Sequence, residues 1–153
     1  MQSLIEQAKV IQVVAPATLG SGGYGTWINT KNYDKITFVM ETGTVTTGGN
    51  VLVRKNSSAT SSGASNHTIN HFYKRTASTD TYVKTSATSS GVNVVVTSVN
   101  NLTYVVEVDT AALGANHWVT LQHPSAFASC NFAATAIAHK ARYQQESPPT
   151  ALT

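Results

Sequence analysis

Short runs of alternating apolar and polar residues, each closed by turn chemistry, fill this chain, and no run keeps a helical period. Residues 35–42 are the clearest case. Ile36, Phe38 and Met40 fall on one side of an extended chain, and Lys35, Thr37 and Glu41 fall on the other. A period of two commits such a segment to a strand with one face in a core. Comparable runs at 9–14, 26–28, 51–55, 68–75, 81–85, 92–99, 103–108, 117–123 and 133–142 bring the total to about nine or ten strands at sandwich-like spacing. The predicted fold is all-β: a single jelly-roll-like β-sandwich of short antiparallel strands, with extended termini. Helical bundles and α/β folds are excluded because nothing supplies their helices. Composition agrees, since only 11% of the 153 residues are charged, against about 25% in an ordinary domain. Ser, Thr and Val take that share, and branched side chains suit a pleated surface.

Turn residues set the expected connections. Ala15-Pro16 closes the first strand. Thr46-Thr47-Gly48-Gly49-Asn50 reads as a hairpin turn between 35–42 and 51–55, because its glycines accept positive φ. Residues 68–75 and 81–85 form a second expected pair. Residues 92–99 are apolar on both faces at their centre, as in the middle of a sheet. Asn100-Asn101 suggests a tight turn. Asp109 to Gly114 reads as one helical turn with Asp as N-cap and Gly as stop. Residues 56–66 are Ser- and Gly-rich and read as a mobile surface excursion. The expected organisation is an N-terminal arm over 1–8, a sandwich domain over 9–142, and an extended tail over 143–153 stiffened by Pro148-Pro149.

Little in the chain carries chemistry. Gly20-Ser21-Gly22-Gly23-Tyr24-Gly25 matches a phosphate-loop pattern, but Thr26-Trp27-Ile28-Asn29 after it is strand-like where a helix is required, so it reads as a flexible turn. His67 and His71 on one strand stand about 13 Å apart, too far to share a metal. Cys130 has no partner for a disulfide and reads as a small buried hydrophobe. No G-x-S-x-G elbow is present, and Asp34, Asp80 and Asp109 sit in turn-like positions. The expectation is therefore a non-enzyme without catalytic residues, metal or cofactor. A net charge of +3 comes from scattered bases; Arg54-Lys55 and Lys74-Arg75 are the closest pairs, so no nucleic-acid partner is expected. No apolar stretch approaches the ~20 residues of a membrane span, and the first residues lack the pattern of a signal peptide. Trp27, Phe38, Phe72, Tyr73, Trp118 and Phe132 read as core anchors, with Trp27 or Trp118 as the alternative platform for a sugar. Ala134, Ala136 and Ala138 form a row that lets another surface approach closely, either the opposing sheet or another subunit.

Three segments carry a resemblance. Ile11-Gln12-Val13-Val14-Ala15-Pro16-Ala17, Asn32-Tyr33-Asp34-Lys35-Ile36-Thr37-Phe38-Val39 and Arg142-Tyr143-Gln144-Gln145-Glu146-Ser147-Pro148-Pro149 resemble a group of small structural virion proteins of tailed bacteriophages. That resemblance implies a capsid cement or decoration protein on the outer surface of the virion shell, with the major capsid protein as partner. It brings no catalytic residue. A tail or neck component, or a receptor- or carbohydrate-binding module, is the alternative. A homo-oligomer is expected, a trimer on a local three-fold axis of the shell. The expected attachment residues are Leu4 and Ile5 in the first arm, with Tyr143, Pro148, Pro149 and Leu152 in the tail.

Overall fold

The computed structural model describes residues 8–19, 21–75, 81–87, 91–94, 102–125 and 130–141. They form two antiparallel sheets packed face to face. The strands are β1 (Ala8–Leu19), β2 (Gly23–Tyr24), β3 (Ile28–Asn29), β4 (Tyr33–Thr42), β5 (Gly49–Asn56), β6 (Ser65–Asn66), β7 (His71–Arg75), β8 (Val83–Ser86), β9 (Val92–Val94), β10 (Leu102–Asp109), β11 (Trp118–His123) and β12 (Cys130–Ala141). The first sheet runs β1-β12-β4-β10-β7-β8; the second runs β2-β11-β5-β6, with β3 on β11 and β9 on β5. Four nested antiparallel pairings organise them: β1 with β12, β2 and β3 with β11, β4 with β10, and β5 with β9. One long hairpin rolled onto itself gives this nesting, which is the jelly-roll arrangement.

The alternation read from the sequence fixes which face is inside. Ile36, Phe38 and Met40 are fully buried, and so are Tyr104, Val106 and Val108 on β10 beside them. From the second sheet, Val51, Val53, Val119 and Leu121 meet them. Ala134, Ala136 and Ala138 face this core, so the alanine row serves the opposing sheet. Of the expected anchors, Phe38, Phe72 and Phe132 are buried, whereas Trp27, Tyr73 and Trp118 are only half-buried; Tyr33 and Tyr104 are fully buried instead. Cys130 is buried, and burial raises its pKa, keeping the thiol protonated.

Several connections differ from expectation. There are twelve strands among the described residues, the additions being pieces as short as two residues. The first strand does not stop at Pro16: β1 continues to Leu19 through register shifts between Gln12 and Ala17 that absorb the proline's missing N–H. Residues 46–50 are not a hairpin turn, because β4 and β5 lie in different sheets; the segment crosses between them, and Gly49 and Asn50 already belong to β5. Val92–Val94, the described part of 92–99, pairs with β5 alone among the described residues, and β12, β4, β10 and β7 are the inner strands of the first sheet. The excursion after β5 is tied down. Asn56 donates to the carbonyls of Thr60 (2.7 Å) and Ser62 (2.9 Å), and Arg54 donates to the Ala64 carbonyl and the Asn66 side chain.

Two expectations match closely. β7 and β8 pair. Thr110–Leu113 is a 3-10 turn capped by Asp109, whose carboxylate accepts from the Ala111 N–H at 3.0 Å, and Gly114 ends it at φ 63°.

Burial also makes the fold acid-sensitive. His123 is buried, with its ring 6.3 Å from that of Phe132, and burial lowers its pKa against a smaller upward pull from a backbone hydrogen bond at Pro124. His67 is lowered by burial and then by the Lys55 charge. A histidine lowered in the native state binds more protons when unfolded. Its stabilising effect is therefore present above the ordinary imidazole value of about 6.5 and fades as pH falls below it. The melting temperature should be lower at pH 5 than at pH 7.5, and His123→Phe should shrink that difference. A difference of the same size in the variant would remove His123 from the account.

Candidate interaction face

The outer face of the first sheet is the feature that an isolated sandwich does not need. A half-solvated antiparallel sheet ordinarily alternates apolar inside with polar outside. Register places Gln12, Thr135, Val39, Val105, Tyr73 and Lys84 in one straight row across all six strands, on the side away from the core. Its centre is three apolar side chains. The next row, Val10-Ile137-Thr37-Glu107, adds two more, and Val10 is 49% exposed. On the other side runs Ala133-Glu41-Thr103-Arg75. Strands β4 and β10 are thus apolar on both faces at their centres, as Phe38-Val39-Met40 and Tyr104-Val105-Val106 spell out.

Polar contacts hold the surround in place. Lys35 Nζ lies 3.3 Å from Glu107 Oε2, an exposed pair that contributes little stability but fixes two side chains. Thr37 Oγ1 and His139 Nε2 share a 2.9 Å hydrogen bond. Arg75 donates to Thr103 Oγ1 at 3.3 Å and lies over the Tyr82 ring at 5.9 Å. The His71 ring meets Tyr73 edge-on at 5.5 Å. At the end of the sheet, Pro16, Thr18, Glu41, Arg75, Asn131 and Phe132 are among the residues lining a groove of about 710 Å³. Thr18 Oγ1 donates to Asn131 Oδ1, its register partner on β12, at 2.6 Å.

β1 and β12 are neighbours running in opposite directions, with Ala8 opposite His139 and Ala141 opposite Tyr33. Residues 1–7 and 142–153 therefore join the domain at the same end of this sheet. The expected attachment residues Leu4, Ile5, Tyr143, Pro148, Pro149 and Leu152 lie outside the described residues. Ala8, assigned to the arm from sequence, belongs to β1.

Neither a protein-family model, nor a curated protein, nor a solved structure matches this chain.

The remaining sequence candidates fall elsewhere. Within the glycine-rich segment Gly23–Tyr24 is paired as β2, and β3, not a helix, follows. The glycine at 25 is a packing requirement. A Cβ there would come within 2.6 Å of Val13 Cγ1, where the Gly25 and Thr26 N–H groups donate to Leu121 and Val13. Trp27 stacks on Tyr24 at 6.0 Å, with Arg54 over the Tyr24 ring. Trp118 is opposite Asn29 and Asn56, four residues along β11 from the Gln122 that pairs with Tyr24.

Proposed function

We propose that this chain is a non-enzymatic structural protein of a tailed-bacteriophage virion, a cement or decoration protein that binds the outer surface of the major capsid protein shell and stabilises it. The observation that carries the reading is that Ala8 and Ala141, where β1 begins and β12 ends, lie at one end of a sheet whose outer face is apolar at its centre. Two arms leaving a rigid sandwich side by side can lie across a joint between shell subunits and add main-chain hydrogen bonds there, as strand addition does. A protein that binds only the assembled shell stabilises it against opening by linkage. The resemblance of 11–17, 32–39 and 142–149 to small phage virion proteins supports this reading. So does the jelly roll, by analogy alone, since that fold recurs in viral capsid and lectin domains.

The test is deletion of 144–153. The shortened protein should keep its β-type circular dichroism and melt within a few degrees of the full chain. Its copy number on purified capsids, measured against the major capsid protein, should fall at least tenfold. Equal occupancy would sink the proposal. The stacked Tyr24–Trp27 pair, with Tyr24 exposed, favours one second reading, a sugar-binding module on the opposite sheet. Binding on a glycan array that Trp27→Ala abolishes would support it.

A further inference from the structure

We propose that the outer face of the first sheet is a homodimer interface, with a two-fold axis running along β10. The inference rests on the homo-oligomer expected from the sequence and not on the capsid reading. Charge complementarity selects the occupant. In the row Ala133-Glu41-Thr103-Arg75, the acid and the base sit on strands β4 and β7, one on each side of β10. When two such faces meet about an axis along β10, Thr103 opposes its own copy, Glu41 opposes Arg75 of the second copy, and Arg75 opposes its Glu41. The next row obeys the same symmetry, with Val105 on the axis opposing itself and Val39 opposing Tyr73. No other strand as axis gives both matches: about β4, Thr103 would face Ala133 and leave Arg75 unanswered. An isologous interface demands this self-complementarity, which these two rows have and the Val10-Ile137-Thr37-Glu107 row, with Glu107 on the axis, does not.

The geometry tolerates the twist of real sheets. Aligned sheets cross at about 30°, which displaces a group one strand (~4.8 Å) from the axis by only about 2.5 Å, within reach of Glu and Arg side chains. Neither Glu41 nor Arg75 has an ion-pair partner among the described residues. The two self-complementary rows, one registered over four strands and one over the five centred on β10, cover about 14 by 24 Å, the central strip of an interface whose standard size is about 800 Å² per partner. On this proposal the oligomer is a two-fold pair and not the trimer expected from shell symmetry.

Charge reversal tests this in solution. The full-length protein should sediment as a dimer. Glu41→Arg places Arg against Arg twice per dimer, and Arg75→Glu places Glu against Glu twice, so each should weaken dimerisation roughly 100-fold or more. Mixing the two single variants should restore a dimer containing one of each, which a purely intramolecular Glu41–Arg75 contact cannot do. Val105→Lys, on the axis, should be monomeric, with a β-type spectrum like that of the parent. A monomeric or trimeric parent would overturn the proposal, and so would single variants that remain dimers, as expected if the chain's own terminal segments or another protein cover this face. Failure of recovery on mixing would overturn it as well. Capsid occupancy, scored separately on the same variants, tells failure of this interface from failure of the virion reading.

Discussion

Phe38→Ala should cost about 3–5 kcal/mol, the range for removing a large aromatic side chain from a packed core. Phe38 is fully buried at the middle of β4, flanked by Ala136 on β12 and Val106 on β10, which are themselves fully buried. Neither Ala136 nor Val106, on the flanking strands, carries a side chain long enough to fill the void, so part of the cavity should persist. A chain of 153 residues loses about 2–4 °C of melting temperature per kcal/mol, which predicts a drop of about 6–20 °C. Val39→Ala, one residue along and on the outer face, should cost about 1 kcal/mol or less. Thermal unfolding of the two variants side by side measures the sidedness of β4. Equal losses would mean that the outer face is as tightly packed as the core, and the inside–outside assignment would fail.

That sidedness was legible in the sequence, because Ile36, Phe38 and Met40 report it through local alternation. The cap at Asp109 and the stop at Gly114 were legible for the same reason: their chemistry acts within five residues. What was hidden needs partners distant in the chain. Thr46-Thr47-Gly48-Gly49-Asn50 announces a change of direction but cannot say that β5 will join the sheet opposite β4; only the nested pairing of β5 with β9 and β11 decides that. The tethering of the excursion by Asn56 and Arg54 relies on side-chain bonds to carbonyls, which leave no periodic trace. The interaction face was hidden in the same way. Val39, Val105, Tyr73 and Ile137 come from four strands, and only register makes them neighbours. The one sequence signal was the doubling of apolar residues in Phe38-Val39-Met40 and Tyr104-Val105-Val106, which marks strands apolar on both sides.

Gly91→Ala should be nearly as damaging as Phe38→Ala, for a backbone reason. Gly91 has φ 125°, a conformation that residues with a Cβ rarely adopt, and a Cβ there would drive into the Val51 carbonyl oxygen and the Leu52 Cα of β5. Relief requires β9 to move away from β5, and Gly49, Asn50 and Val51 would lose their pairing with Val94, Asn93 and Val92. The conformational part costs about 1–3 kcal/mol, and the overlap adds a similar amount because carbonyl and Cα atoms cannot rotate aside as a side chain can. Gly63 separates the two parts. It also has positive φ, at 73°, but nothing lies within 4 Å of the position a Cβ would take. Gly63→Ala should therefore show the conformational cost alone, about 1 kcal/mol for the left-handed region. Chemical denaturation of both variants should place Gly91→Ala well below Gly63→Ala in midpoint. If the two midpoints coincide, β9 does not close against β5 in the way the nested pairing requires, and the innermost hairpin of the jelly roll is wrong.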